Sequence, residues 1–168
     1  MQNKTATAII GLGTNLGDKC ENLRLAIFHL NLCGIAVVKQ SKLYQTPPWG
    51  FEAKDDFYNM AVQAITKLSP EQLLVELKAI ELRMGRQVKS TQDYSSRIID
   101  LDILDYNMAN FKTPDLEIPH KHMHERNFAL FPLKDVNQNY VHPNLGLHVD
   151  QLIASLNDNL ITVVNKTL

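Results

Sequence analysis

Apolar residues recur along this chain with two periods, one typical of helices and one typical of strands. Residues 18–32 carry apolar side chains at helical spacing, and Asp18 has the capping-box separation from Glu21. Ser69 and the proline after it open a second helix, which we expect to end near Gly85. Short stretches rich in β-branched and aromatic residues predict four strands, at 5–13, 36–46, 57–65 and 97–104.

The order of the predicted elements is β-α-β-β-α-β. This order is typical of the ferredoxin-like α+β fold, in which two helices pack on one face of an antiparallel sheet. After these elements, residues 126–136 and 149–156 predict a C-terminal helical extension, and residues 160–164 are compatible with a short strand. We therefore expect one domain that covers residues 1–168.

Composition excludes several classes of function. The chain has 168 residues, and a formal net charge of -1 argues against nucleic-acid binding through bulk positive charge. No apolar run is long enough to span a membrane, and the first residues lack the apolar segment of a signal peptide. Cys20 and Cys33 are the only cysteines, so no disulfide framework is predicted. We expect a cytoplasmic protein without a membrane or nucleic-acid partner.

The most informative pattern lies in the last of the four strands. Side chains alternate between the faces of a strand, so Asp100 and Asp102 share one face while their aliphatic neighbours share the other. Two carboxylates roughly 7 Å apart along a strand repel each other unless a cation lies between them. Their oxygens are ligands that Mg²⁺ prefers, with water and phosphate at its other positions. The alternative is an edge strand with a solvated polar face.

A basic segment precedes this strand. Between residues 83 and 97 the chain carries four basic side chains and one acid: Arg83, Arg86, Lys89 and Arg97 against Asp93. A run of charge is most often only a solvated surface. Beside a pair of carboxylates, however, such a segment favours phosphoryl or nucleotidyl transfer, in which metal ions bridge phosphates and arginines neutralise the transferred group.

Three other patterns are weaker. Phe57 and Asn59 lie on one face of the third strand, where a ring and a carboxamide could hold a planar heterocycle, although core packing is the commoner role. The alternate histidines of residues 120–124 have no cysteine nearby, so we do not expect zinc. Gly11 and Gly13 lack the third glycine of a dinucleotide fingerprint and the full P-loop pattern, so a nucleotide would have to be held in another way.

Four blocks of sequence, in order, resemble a known family: residues 11–17, 44–50, 57–59 and 97–104. The segments Pro119-His120 and 126–128 extend the match to about residue 135. On these blocks the chain resembles the 6-hydroxymethyl-7,8-dihydropterin pyrophosphokinases, folate-pathway enzymes that move the pyrophosphoryl group of ATP onto a pterin alcohol. The resemblance implies a ferredoxin-like fold, in agreement with the order of the predicted elements.

The resemblance also implies a site. Asp100 and Asp102 would bind two Mg²⁺ between ATP and the substrate hydroxyl, and Arg86 and Arg97 would be catalytic loop residues. The implied pterin contacts are Thr46, Pro47, Trp49, Phe57, Asn59 and Phe128. The implied contacts to the co-substrate ATP are Lys78, Glu81, Tyr94, Arg97, Ile103, His120 and Arg126. We expect such an enzyme to act on these small molecules as a monomer.

Two other classes of function stay open at this point. A palm-type nucleotidyltransferase also uses two strand carboxylates and two metal ions. A non-catalytic ferredoxin-like module that binds RNA or a nucleotide would carry aromatic residues on its central strands, and residues 5–13 contain none. The products separate the two enzymes, because nucleotidyl transfer releases pyrophosphate and pyrophosphoryl transfer releases AMP.

Overall fold

The computed structural model describes residues 4–50, 54–86, 96–157, 160–166 and 168. Its strands are β1 (Ala6–Thr14), β2 (Ala36–Gln40), β3 (Leu43–Thr46), β4 (Phe57–Thr66), β5 (Asp100–Tyr106), β6 (Phe111–Lys112), β7 (Glu117–Ile118) and β8 (Thr162–Val164). Its helices are α1 (Lys19–Leu32), α2 (Pro70–Arg83), α3 (Asn127–Val136) and α4 (Val149–Ala154), with a 3₁₀ turn at Met123–Glu125. None of the helices in these ranges is long and apolar enough to cross a membrane.

The main sheet confirms the ferredoxin-like prediction. Its strands follow the order β5-β1-β4-β3-β8, and β2 also pairs with β4. Every pairing in this sheet is antiparallel. Strand β8 confirms the short strand suggested for residues 160–164, whereas β6 and β7 were not predicted.

Two strand boundaries differ from the prediction. The single strand expected over residues 36–46 is interrupted at Ser41, whose hydroxyl accepts a hydrogen bond from the Ala61 N–H at 2.9 Å in place of a regular ladder bond. The last predicted strand begins at Asp100 rather than residue 97. Arg97 does not join the ladder, because its backbone N–H and C=O bond instead to Asn15.

Local capping signals set the helix ends. Helix α2 has a complete capping box, in which the Ser69 hydroxyl accepts from the Gln72 N–H and the Gln72 side chain accepts from the Ser69 N–H. In α1 the Asp18 carboxylate accepts from the Glu21 N–H at 3.0 Å, which satisfies one donor of the first turn. Gly34 and Gly85 follow the two helices with φ of 74° and 91°, a conformation that favours glycine.

The two faces of the sheet bury separate clusters of apolar side chains. On one face α1 and α2 contribute Leu23, Leu30, Leu73 and Leu77 to the larger core. The predicted C-terminal extension covers part of the other face, where α3 and α4 form a second cluster around Leu130, Leu133, Tyr140 and Leu152. The second face stays open near the first residues of α3, and this is where the pocket described next is found.

Candidate active site

An open pocket lies where β1, β4 and β5 meet the start of α3. It is concave, is open to solvent, and combines apolar side chains with a few charged and polar ones, which is typical of a small-molecule site. The residues that were predicted for the site and that line this pocket are Thr46, Pro47, Trp49, Phe57, Asn59, Arg97, Asp100, Asp102, His120, Arg126 and Phe128. Tyr94 was also predicted, but it lies outside the described residues.

Two glycines of β1 form the floor of the pocket. Gly11 pairs directly with Asp102, and Gly13 pairs with Asp100 on one side and Asn59 on the other. A Cβ atom on Gly13 would lie 3.0 Å from Asn59 Oδ1, a distance that forces the neighbour to move. The absence of side chains here opens the sheet surface between the carboxylates and the carboxamide. Gly11 and Gly13 are separated by one residue in the sequence, which suggested only a weak phosphate loop. Their place in the pocket depends on the strands that pair with β1.

Asp100 and Asp102 share the pocket face of β5, as strand alternation predicted. Ile99, Leu101 and Ile103 point to the other face, into the core beneath α1 and α2. The structure therefore keeps the Ile103 side chain out of the pocket, and its predicted contact with ATP stays a prediction.

Two arginines hold Asp100. One carboxylate oxygen lies 2.7 Å from Arg86 Nη1, and the other lies 2.8 Å from Arg97 Nη1. Burial alone would raise the pKa of Asp100, but the charges of Arg97 and Arg86 outweigh it and lower the pKa below its usual range. The sequence did not predict that the two arginines would bind this carboxylate directly.

Asp102 has the opposite environment. Within the described residues it has neither a hydrogen bond nor an ion pair, although it faces the pocket. Burial, followed by the charge of Asp100, raises the pKa of Asp102 to about 7. A carboxylate without a partner beside a second carboxylate is a poor arrangement for stability but a good one for binding a cation. The donor set therefore fits a hard divalent ion such as Mg²⁺.

Helix α2 supports this acidic edge from behind. Glu81 is buried and accepts hydrogen bonds from the Leu101 N–H at 2.7 Å and from Lys78 Nζ at 3.2 Å. It also pairs with Arg86 Nη1 at 2.6 Å, so Arg86 bridges Glu81 and Asp100. Burial is the main reason that the pKa of Glu81 is raised. Lys78 and Glu81 do not line the pocket, and their predicted ATP contacts stay predictions.

Aromatic side chains also line the pocket. The Arg126 guanidinium lies 4.4 Å from the centroid of the Trp49 ring, and the Phe128 and Trp49 ring centroids are 6.4 Å apart. In the same pocket, the Asn59 side-chain amide donates to the Thr46 hydroxyl at 2.8 Å, which fixes the orientation of the carboxamide. The structure therefore brings together a planar polar edge and several flat apolar surfaces.

His120 completes the polar lining. Burial, and next the charge of Arg126, lower the pKa of His120 to about 4, so its ring is neutral at pH 7. The His122 N–H donates to its Nδ1 at 3.2 Å, which places the ring proton on Nε2. His120 can therefore act as a neutral hydrogen-bond donor toward a ligand. His124 instead packs against His142, at a ring separation of 5.9 Å.

Fold and site together define a class: a ferredoxin-like α+β protein in which two strand carboxylates, one of them bound by two arginines, line a pocket with aromatic side chains. Arg86 itself does not line the pocket. Residues 9–138 match the profile of the family described as 7,8-dihydro-6-hydroxymethylpterin-pyrophosphokinase (HPPK). The chain belongs to this family.

Two curated relatives carry names from folate synthesis. The Folic acid synthesis protein fol1 of Pneumocystis carinii is 40% identical over 155 residues, 92% of this chain and 21% of that protein. The 2-amino-4-hydroxy-6-hydroxymethyldihydropteridine pyrophosphokinase of Aquifex aeolicus is 36% identical over 138 residues, which are 82% of this chain and 84% of that enzyme. The chain thus spans about a fifth of the length of the first relative and most of the second.

A solved structure confirms the fold. The crystal structure of an HPPK-DHPS in complex with substrates superposes with a TM-score of 0.72, covering 89% of this chain and 43% of that one. Its sequence identity to this chain is 16%, so the likeness concerns the fold alone.

Proposed function

We propose that this chain transfers the pyrophosphoryl group of ATP to the hydroxyl of 6-hydroxymethyl-7,8-dihydropterin and releases AMP. The observation that carries the proposal is that Asp100 and Asp102 stand side by side on one strand and line a pocket that aromatic side chains also line. Family membership names the two substrates, and the pocket offers one side to a charged phosphate chain and the other to a planar ring. The proposal includes two Mg²⁺ ions and a monomeric enzyme.

The aromatic side of the pocket suits the pterin. Phe57 and Phe128 offer flat apolar faces to a fused ring. Asn59, held by Thr46, offers hydrogen-bonding groups to the polar edge of the ring. Pro47 and Trp49 lie on the same lining and restrict how the ring can enter. We infer that these side chains orient the hydroxymethyl group of the pterin toward the two aspartates.

The carboxylates would hold the metal ions. Bound Mg²⁺ would neutralise the triphosphate and lower the pKa of the substrate hydroxyl. Asp102 is suited to this role because it has no partner among the described residues, whereas Asp100 must exchange contacts with Arg86 and Arg97. His120 and Arg126 contribute a neutral donor and a positive charge to the same pocket.

The arginines would act on the transferred group. Arg86 Nη1 lies 2.7 Å and Arg97 Nη1 lies 2.8 Å from the Asp100 carboxylate. Guanidinium groups bind phosphate oxygens in bidentate geometry, so both arginines suit the neutralisation of a transferred group next to Asp100. In the reaction the substrate hydroxyl oxygen bonds to the β-phosphorus, the bond from the β-phosphorus to the α–β bridging oxygen breaks, and AMP leaves with the electron pair. The hydroxyl proton is lost to solvent.

Product analysis tests the proposal. The chain is incubated with ATP, Mg²⁺ and 6-hydroxymethyl-7,8-dihydropterin, and the nucleotide products are separated by ion exchange. We expect AMP, formed only when all three are present, and none with the 6-methyl pterin that lacks the hydroxyl. Release of pyrophosphate would favour a nucleotidyltransferase instead, and binding of nucleotide without any product would favour a non-catalytic module.

A further inference from the structure

Asn15, in the loop after β1, does not line the pocket but is hydrogen-bonded to two segments that carry pocket residues. Its side chain is only 1% exposed. Its Nδ2 donates to the Ser96 hydroxyl at 3.0 Å and to the Asp55 carbonyl at 3.3 Å, while its Oδ1 accepts from the Arg97 N–H at 2.8 Å. Its backbone N–H donates to the Arg97 carbonyl at 3.2 Å. One residue therefore binds two segments that are far apart in sequence.

These two segments lead into the two sides of the pocket. Arg97 is held by Asn15 through both its N–H and its C=O, and its guanidinium reaches Asp100 Oδ2 at 2.8 Å. Asp55 lies two residues before Phe57, where β4 begins. The Asn15 carboxamide thus holds the backbone of Arg97 and of the segment that leads into Phe57, and both of these residues line the pocket.

The loop that carries Asn15 is itself fixed. The Asn22 side-chain amide donates to the Leu16 carbonyl at 2.8 Å and to the Thr14 hydroxyl at 3.2 Å, which ties the loop to α1. Only a carboxamide of this length both donates and accepts in the observed directions. An aspartate at position 15 would lose the N–H groups, and an alanine would lose every side-chain bond.

We infer that Asn15 is a positioning residue that couples Arg97 to the pterin side of the pocket. The inference rests on the proposed function where kcat is measured. Pterin binding is a second measurement that does not require turnover. Displacing a catalytic group by about 1 Å can lower a rate by about 100-fold. We therefore expect Asn15→Ala to lower kcat by about tenfold or more and also to weaken pterin binding, measured by quenching of the Trp49 fluorescence.

Two comparisons separate positioning from general loss of stability. Ser69→Ala lowers stability through loss of the α2 cap and removes no bond of Asn15, Arg97 or Asp55, so we expect its kcat to stay within about twofold of wild type. In an Arg97→Ala background, Asn15→Ala should lower kcat little further at saturating pterin, because the group it positions is already absent. Multiplicative losses in the double variant, or an equal loss of kcat in Ser69→Ala, would overturn the inference.

A second variant covers the case in which Asn15→Ala does not fold, as judged by the absence of a cooperative thermal transition. Asn15→Asp keeps the acceptor for the Arg97 N–H and loses the N–H donors to the Asp55 carbonyl and the Ser96 hydroxyl. We expect weaker pterin binding with kcat closer to wild type, and unchanged pterin binding would contradict the inference. If the wild-type chain releases no AMP, the proposed function fails by itself, and the binding measurements still decide the role of Asn15.

Discussion

Removing the charge of Asp102 should stabilise the protein when no metal is present. Asp102 lacks a hydrogen bond or ion pair among the described residues, and burial beside Asp100 raises its pKa from the usual 3.8 to about 7. In Asp102→Asn the side chain keeps its shape but carries no charge. The variant therefore removes a cost that the wild-type protein bears only so long as no cation is bound.

The size and pH dependence of the effect follow from the shift in pKa. The folded-state pKa of Asp102 lies above its unfolded value, so between about pH 4 and pH 7 the folded protein holds a proton that the unfolded chain has lost. The free energy of unfolding therefore falls as pH rises through this window. A shift of about three pKa units sets a ceiling of about 4 kcal/mol. Because the pocket is open to water, we expect about half of this, or about 2 kcal/mol.

Thermal unfolding in EDTA at pH 5 and pH 8 measures the effect. For a domain of this length about 2 kcal/mol corresponds to a Tm higher by about 4–8 °C at pH 8, with a smaller difference at pH 5. Asp100→Asn is the matched control, because Asp100 lies on the same strand and lines the same pocket. The charges of Arg97 and Arg86 lower the pKa of Asp100, so removal of its charge should lower the free energy of unfolding rather than raise it.

Adding Mg²⁺ completes the test. Mg²⁺ should raise the Tm of the wild-type protein and have a much smaller effect on Asp102→Asn. The reasoning is refuted if Asp102→Asn is no more stable than wild type in EDTA at pH 8. It is also refuted if the gain is the same at both pH values.

Further predictions concern catalysis, pterin affinity and stability. Arg97→Ala should lower kcat by about 100-fold and change pterin affinity little, whereas a large loss of affinity with kcat intact would assign Arg97 to substrate recognition. Phe128→Ala should weaken pterin binding by about 1–3 kcal/mol through lost stacking, as measured by calorimetry; unchanged affinity would place the ring outside the pterin contact. Ser69→Ala should lower the free energy of unfolding by about 0.5–2 kcal/mol through loss of the α2 cap without changing kcat, and equal urea midpoints would contradict this.

Much of the fold could be predicted because its signals are local. The capping box at Ser69 and the glycines after α1 and α2 depend on neighbours within a few residues, and the structure has the helices where these signals place them. The break in the strand at Ser41 could not be predicted in the same way. A serine is compatible with a strand, and only the approach of Ala61 makes its hydroxyl replace a ladder bond.

The site residues also divide into those that a local pattern predicts and those that depend on contacts between separate elements. Alternation along a strand was enough to place Asp100 and Asp102 on one face. The binding of Arg86 and Arg97 to Asp100, and of Asn15 to Asp55 and Arg97, depends on how separate elements pack. Such contacts leave no periodicity in the sequence.

The glycines of β1 are an intermediate case. Their spacing was visible in the sequence, but their function depends on the cross-strand partners. Gly11 and Gly13 stand opposite Asp102 and Asp100, and this register is a property of the sheet rather than of the β1 sequence. A glycine pair within a strand therefore has to be interpreted together with the strand that pairs with it.

The most direct test of the central claim is the phosphorus balance of the reaction, followed by ³¹P NMR. The chain is mixed with ATP, Mg²⁺ and 6-hydroxymethyl-7,8-dihydropterin, and the spectrum is recorded until ATP is consumed. We predict AMP and a pterin diphosphate in equal amounts, the latter with two mutually coupled phosphorus signals. Free pyrophosphate, ADP with a pterin monophosphate, or ATP that stays intact would each contradict the account.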